Sequence, residues 1–250
     1  MQRYFVEPEA MTEDTVTITG DDVKHIVRVM RMKEGDEIIC SDNNSKTVRC
    51  TLQLLGEEQV TAKIVEILHP HTELPISVTI AQGLPKGDKL DFIIQKGTEL
   101  GATSFVPFSA SRSVVKWEEK KARKKIERLE KIAKEAAEQS YRERIPTIQP
   151  AMTFSSLVEQ VSSFSSCLVA YEESGKSGER SQLVQCLRNL KVGDSLLIVI
   201  GPEGGLTEQE IEQLEEAGAK LAGFGPRILR TETASLYVLS TVSYHFELMG

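Results

Sequence analysis

The stretch VIGPEGGLTEQE, Val199 to Glu210, places Gly201, Gly204 and Gly205 directly after an apolar run and just before a polar helix. Leu196 to Ile200 reads as a buried strand, and Thr207 with Glu210 forms a capping box for the helix that follows. The glycines thus fall at the carboxyl end of a strand, the edge at which open α/β sheets bind ligands. Glycine there permits positive φ and close approach to the backbone. A bare strand-to-helix connection that holds nothing accounts for the stretch equally well. Phosphate is a poor guest for it, because Leu206 and Thr207 stand where a P-loop carries lysine and a hydroxyl residue. Glu203, in the middle of the loop, repels an anion and tolerates a cation. A second cluster, GFGPRILRTETAS from Gly223 to Ser235, gathers Arg227, Arg230, Thr231, Glu232 and Thr233 at the opening of an apolar helix. Thr231 suits an N-cap and Glu232 suits the helix dipole. Arg230 opposes that dipole, so a ligand or an acidic partner is the simpler reason for it.

These residues need a frame. The chain has 250 residues, 40% of them hydrophobic, enough for one large core or two modest ones. A net charge of −7 argues against a polyanion-binding surface over the whole molecule and leaves room for a local basic patch. Cys40, Cys50, Cys167 and Cys186 are scattered without a C-x-x-C, which predicts reduced thiols and no zinc site. His69 and His71 form an H-x-H in a proline linker with no third ligand nearby, so no metal is expected. The start MQRYFVEPEA lacks a signal-peptide core and no run of about 18 apolar residues occurs. A soluble, cytoplasmic chain without membrane contact is expected.

Up to the linker HPHTELP the pattern is β-rich: RYFVE, TVTIT, DEIIC, KTVRCTLQLL and QVTAKIVEIL, with one helix, VKHIVRVMRM, capped by Asp21 or Asp22. Val23, Ile26, Val27 and Met30 share its apolar face. Strands plus one helix in about 70 residues suggest a small barrel. Strands and helices then alternate: SVTIAQGL, KLDFIIQKGTEL closed by Gly101, SFVPF, a charged helix from Trp117 to about Tyr141, LVEQV, CLVAY, LVQCLRNL, SLLIVI, EQEIEQLEEAG and a last helix from about Thr231 to Leu248. That alternation predicts a parallel α/β sheet.

GPEGGLT followed by GFGPRILRTETA resembles the C-terminal signature of the SPOUT methyltransferases. LPKGDKLDFIIQKGTELG (Leu84 to Gly101) and KIAKEAAEQSYRERIP (Lys131 to Pro146) resemble one branch, the ribosomal RNA small-subunit methyltransferase E family. RYFV and HIVRVMRMKEGDEI match its PUA-like RNA-binding domain. The resemblance spans nearly the whole chain. It implies a PUA-like β-barrel over residues 1–71 and a SPOUT-type trefoil-knotted parallel-sheet methyltransferase domain over 72–250. It also implies S-adenosylmethionine as cofactor and methylation at N3 of a uridine in small-subunit (16S) ribosomal RNA. The sulfonium of that cofactor removes the difficulty posed by Glu203. By resemblance three loops enclose the cofactor: Ala170, Tyr171 and Glu172; Gly201, Pro202, Glu203, Gly204, Gly205 and Leu206; and Gly225 with Ile228, Leu229, Arg230, Thr231, Thr233 and Ala234. A homodimer through the knotted domain is implied as well, with Leu236, Val238, Leu239, Val242 and Phe246 as its apolar face. The same fold methylating another RNA position, and an idle ribosome-assembly factor, are the competing readings.

An RNA substrate, or the assembled small subunit, calls for basic residues. Arg112 to Arg144 carries twelve Lys or Arg against seven Glu, mostly a solvated helix with i,i+4 pairs. Lys24, His25, Arg28 and Arg31, with Arg3, are the better candidates for tracking a phosphate backbone. Lys24, Arg28 and Arg31 share one face of their predicted helix. Lys86, Lys89 and Lys96 are weaker candidates, and Arg142 is a further one. For chemistry, N3 of uridine must lose a proton, and charge then builds on the neighbouring oxygens. Arg230 is the expected stabilising cation, the alternative being that it only pairs with Glu232 or the cofactor carboxylate. Glu203 and Glu232 are both candidates for the base, with hydroxide or a second-subunit residue as alternatives.

Overall fold

The alternating runs before Leu68 pair into one five-stranded sheet. The computed structural model describes residues 1–171 and 182–249. In it β1 (Gln2–Phe5), β2 (Thr15–Thr19), β3 (Glu37–Ser41), β4 (Thr47–Leu55) and β5 (Gln59–Leu68) run in the order β1-β3-β4-β5-β2. Period-two alternation turns Val16, Ile18, Ile38, Cys40, Val48, Cys50, Leu52, Val60 and Ala62 into one core. The ladder leaves β1 and β2 as its ends, so the expected barrel is not closed by hydrogen bonds among the described residues.

The expected helix 23–32 is shorter and wider. Asp21–Lys24 (α1) is α-helical, and His25–Val29 continues as a π-turn with Met30 N–H donating to the His25 carbonyl at 2.8 Å. Its N-cap is Gly20, so neither Asp21 nor Asp22 caps it. Val23 and Ile26 are buried while Met30 is exposed. Arg31 leaves the helix at φ 53°, and Met32 N–H reaches back to the Ile26 carbonyl at 3.1 Å, a Schellman-type end. Lys24, Arg28 and Arg31 therefore do not share a helix face, although all three are exposed.

This sheet and Lys134–Ile145 form one of two units; Leu74–Ala133 with Pro146–Gly250 forms the other. Lys134–Ile145 joins the first unit through polar contacts. Lys134 Nζ lies 2.9 Å from Asp22 Oδ1 and 2.7 Å from Glu138 Oε1, and the Arg142 guanidinium pairs with Glu73. Arg142 is 2% exposed and Arg3 is 4% exposed. Arg3 Nη1 donates to the carbonyls of Tyr141, at 2.7 Å, and Arg142. The expectation that Arg3 and Arg142 track RNA phosphates is corrected: both guanidiniums are buried, with protein acceptors in place of solvent.

The second unit contains the parallel sheet. β6 (Ser77–Gly83), β7 (Ser104–Ser109), β8 (Thr147–Ile148), β10 (Ser166–Ala170), β11 (Ser195–Ile200) and β12 (Lys220–Ala222) run β12-β10-β11-β6-β7-β8, and the two-residue β9 (Met152–Thr153) pairs with β7. Every pair in it is parallel. Its strands are buried on both faces, which is why they read as unbroken apolar runs. The helices are α2 (Lys89–Glu99), α3 (Glu119–Gln139, whose last residues belong to the first unit), α4 (Phe154–Gln160), α5 (Gln182–Asn189), α6 (Glu208–Glu216) and α7 (Thr231–Ser243), with a π-turn Tyr244–Leu248. α2 stops at Gly101, φ 93°. On α3, Leu129, Ala133, Ala136 and Ala137 are buried, while Arg123 pairs with Glu127 at 3.1 Å on the solvated side. On α7, Val238, Leu239 and Val242 are wholly buried. They are thus not the surplus apolar face expected for a dimer; Tyr237, Tyr244, Leu248 and Met249 are the exposed apolar residues of this stretch.

Gly97 lies in the middle of α2, and a Cβ there would stand 2.7 Å from Cε1 and Cζ of the buried Phe105 ring. Gly→Ala in a helix interior normally gains about 1 kcal/mol, whereas overpacking a tight core costs about 1–3 kcal/mol. The overpacking term wins. Gly97→Ala is expected to lower the urea midpoint of unfolding at unchanged slope, and an increased midpoint would show that Phe105 can yield.

Candidate functional site

Three segments meet at the carboxyl ends of β10, β11 and β6. The first is the turn Gly201–Leu206 after β11, expected from sequence. Its Gly205 has φ 68°, and a Cβ on Gly201 would stand 3.0 Å from the Gly205 carbonyl carbon. Glycine is required at both positions. A Cβ on Gly204 would meet Arg112 Cβ at 3.1 Å, so the absence of a side chain at Gly204 makes room for Arg112. The expected capping box follows: Glu210 N–H donates to Thr207 Oγ1 at 3.2 Å and Thr207 N–H to Glu210 Oε2 at 2.8 Å.

The turn is held from several sides. Gln82, the penultimate residue of β6, is completely buried. Its Nε2 donates to Thr231 Oγ1 at 2.7 Å, and Thr231 Oγ1 donates onward to the Gly201 carbonyl at 2.7 Å. Ser235 Oγ donates to Gln82 Oε1 at 3.1 Å. Thr231 is therefore not the N-cap of α7; that place belongs to Arg230, and the threonine hydroxyl works inward. On the other side, Arg112 Nη1 donates to the carbonyls of Gly204 and Leu206, each at 3.1 Å. Next door, Gly83 has no room for a side chain, since a Cβ would stand 2.7 Å from Pro202 N.

Charge is distributed unevenly around the turn. Glu203 Oε1 accepts from Lys89 Nζ at 2.9 Å and from Lys86 N–H at 3.1 Å. Burial pulls the Glu203 pKa upward, but the Lys89 ammonium and the backbone N–H groups of Glu203 and Lys86 outweigh it and hold the carboxyl below the usual glutamate range. Lys89 is held above its ordinary value, first by its hydrogen bond to Glu203, against desolvation and with help from Glu232. Glu232 Oε2 lies 3.5 Å from Lys89 Nζ and is buried without a well-formed hydrogen bond. The Arg230 side chain makes no hydrogen bond or ion pair within the described residues, so Glu232 does not neutralise it.

These segments enclose a cleft of about 600 Å³, a size suited to a small-molecule ligand. Ala170, Tyr171, Gly201, Pro202, Glu203, Gly204, Gly205, Leu206, Gly225, Ile228, Leu229, Arg230, Thr231 and Ala234 line it, drawn from all three expected loops. Thr233 lines a neighbouring depression instead, and Glu172 lies outside the described residues. Lys89, Arg112, Ile200, Arg227 and Phe224 also line it and were not expected as cofactor residues. Phe224 was legible as an aromatic in the GFGP segment; its ring stacks on Tyr237 with centroids 6.0 Å apart. Gly225, φ 89°, makes the turn beside it. Of the basic candidates in this unit, Lys86 is exposed, while Lys96 Nζ pairs with Glu99 at 2.7 Å. In the first unit Lys24 pairs with the exposed Asp21 at 3.3 Å, His25 Nδ1 shares a hydrogen bond with Tyr4 Oη at 2.9 Å, and Arg28 and Arg31 are solvated. No group of three or more His, Cys, Asp or Glu that could hold a metal occurs among the described residues.

Thr231→Val removes the hydroxyl that links Gln82 to Gly201 while keeping the shape of the side chain. It strips the Gly201 carbonyl and the Gln82 amide of one partner each, which costs about 1–3 kcal/mol for a buried polar group. Urea unfolding is expected to register that loss and Thr231→Ser to recover most of it; a valine variant as stable as wild type would mean that water replaces the hydroxyl.

The comparisons with known proteins agree with this geometry. An RNA methyltransferase domain family matches residues 72–243, and an RNA methyltransferase PUA domain family matches residues 18–65. The ribosomal RNA small subunit methyltransferase E of Bacillus subtilis is 54% identical over 252 residues, covering 100% of this chain and 98% of that protein. The crystal structure of a ribosomal RNA small subunit methyltransferase E from Neisseria gonorrhoeae, bound to S-adenosylmethionine, superposes with a TM-score of 0.83 at 29% identity and 97% coverage of both chains. A Legionella pneumophila protein in complex with S-adenosylmethionine superposes with a TM-score of 0.84 at 26% identity, covering 96% of each. With its parallel sheet, its N-terminal PUA-like domain and its cleft at the glycine turn, this chain belongs to the ribosomal RNA small subunit methyltransferase E family.

Proposed function

We propose that this chain binds S-adenosylmethionine in the cleft at the glycine turn and methylates N3 of a uridine in 16S ribosomal RNA, free or in the assembled small subunit. The observation that carries the reading is the character of the cleft. Apolar Ile200, Leu206, Phe224, Ile228 and Leu229 offer a wall for a purine ring, Glu203 suits a cationic ligand, and Arg112, Arg227 and Arg230 suit a carboxylate. When bound, the cofactor presents a methyl group on a positively charged sulfur. The chain's own residues then handle the nucleobase. Arg230, exposed and without an intramolecular partner, stabilises the negative charge that spreads over the uracil oxygens as N3 loses its proton. Glu232 accepts that proton. Glu203 is the poorer base, because Lys89 and a backbone N–H already engage it and lower its pKa; its part is to bind and to fix the turn.

In the same reading residues 1–71 dock RNA, with Lys24, His25, Arg28 and Arg31 as the contacting set, and residues 72–250 perform the transfer. Lys86 and Lys96 contact RNA on the catalytic side. The crossing of the chain from β12, at the sheet edge, back to α7 beside β11 and β6 supports a trefoil-knotted path. Exposed Tyr237, Tyr244, Leu248 and Met249 support a homodimer through this domain. A ribosomal RNA substrate supports a cytoplasmic activity. No described helix is long and apolar enough to cross a membrane.

Mapping the methylated nucleotide in small-subunit RNA from a deletion strain tests the substrate: loss of a single N3-methyluridine is expected, and an unchanged modification pattern would remove the assignment. Calorimetry tests the cofactor. Gly201→Val, whose branched Cβ presses on Gly205, is expected to abolish heat of binding while the circular dichroism spectrum persists.

Arg230→Ala is expected to slow single-turnover methylation about 100- to 1000-fold at saturating cofactor and RNA. A wild-type rate with weakened cofactor affinity would make Arg230 a binding residue alone.

A further inference from the structure

A shallow depression adjoins the cleft and shares Lys89 and Arg230 with it; Asp88, Phe92, Glu232 and Thr233 complete its lining. Three features of this depression lack an explanation within the protein. Phe92 projects from α2 with 43% of its surface exposed, although Leu90, Ile93 and Ile94 of the same helix are buried. Arg230 has no acceptor within the described residues. Glu232 Oε2 is buried and accepts no hydrogen bond; its nearest cation, Lys89 Nζ, is 3.5 Å away.

A flat aromatic face, an unused donor and a carboxylate with hydrogen-bonding capacity left are what one nucleobase needs. We infer that this depression receives the target uracil, everted from the RNA, with Phe92 as the platform on which its ring stacks. The inference rests on the reading of the neighbouring cleft as a methyltransferase site. Uracil presents the N3–H donor between two carbonyl acceptors. The N3–H donates to the Glu232 carboxylate, whose side chain is 17% exposed, and the Arg230 guanidinium donates to an adjacent carbonyl oxygen. Stacking on Phe92 replaces the stacking lost when the base leaves its neighbours. The same arrangement selects against cytosine, whose N3 is a lone pair and would face the Glu232 carboxylate. Phe92 is thus a positioning residue, and Glu232 sets the choice of base.

The test uses the full-length protein, unmodified small ribosomal subunits and S-adenosylmethionine. Base–aromatic stacking sets the expected loss of kcat/KM in Phe92→Ala at about 10- to 100-fold. Phe92→Leu, which keeps apolar bulk without a flat face, is expected to lose as much, and Phe92→Tyr to stay within about threefold of wild type. Cofactor affinity by calorimetry is expected to be the same in all four proteins. A second readout needs no turnover. Ultraviolet crosslinking of the protein to small subunits in the absence of cofactor is expected to attach a uridine to the tryptic peptide LDFIIQK, Leu90–Lys96. Phe92→Ala or Phe92→Leu with wild-type kcat/KM, or uridine adducts confined to other peptides, overturns the platform while leaving the cofactor site standing. Failure of the wild type itself to bind S-adenosylmethionine takes down both readings.

Discussion

A buried amide sets the geometry on which the site depends. Gln82 cannot be solvated, so each of its polar atoms must find a partner, and those partners lie on elements far apart in sequence. Its Nε2 reaches Thr231 at the start of α7, its Oε1 accepts from Ser235 one turn later, and Thr231 passes the connection to the Gly201 carbonyl. One side chain thereby locks the end of β6, the glycine turn and the last helix into a single arrangement. A network of this kind is strong when complete and costly when any member is lost. The Arg112 guanidinium does the same from the opposite side with the carbonyls of Gly204 and Leu206, so the turn has little freedom left.

Within that rigid frame the charges divide into those already engaged and those still available. Lys89 bridges two carboxylates unequally, close to Glu203 and more distant from Glu232. The closer carboxylate is thereby fixed as an anion that shapes the turn. The more distant one keeps an oxygen that accepts no hydrogen bond from the protein. Arg230 stands at a helix N-terminus, where the dipole offers it nothing. Two glutamates that look equivalent in sequence differ in their hydrogen bonding through the position of one ammonium group.

Much of this was legible in the chain before any coordinates. The three glycines after an apolar run, the Thr207–Glu210 capping box and the alternation of strand and helix are local signals, and each appears where its spacing places it. What escaped was non-local. Gln82 looks like an ordinary polar residue late in a strand, because its partners are 149 and 153 positions away. Arg112 reads as one more cation in a basic tract, yet it serves carbonyls 92 and 94 positions on. Arg3 and Arg142 were misread for the opposite reason: charge in a sequence suggests solvent, and nothing local says that a carbonyl pair or Glu73 will replace it. The helix at Asp21 failed differently, since a π-turn and the left-handed Arg31 shift every side chain beyond them off the 3.6-residue period.

The discontinuity of the first unit bears on how the protein is made. Its five strands are complete by Leu68, but the segment that satisfies Arg3, Asp22 and Glu73 is Lys134–Ile145, which follows about a third of the parallel-sheet unit in the chain. During synthesis the amino-terminal sheet must wait, with those charges hydrated, while some 60 residues of another unit emerge. Vectorial, one-domain-at-a-time maturation is closed to it. The two units are therefore bound to a common folding schedule, and neither can be excised at the linker and be expected to mature as the intact protein does.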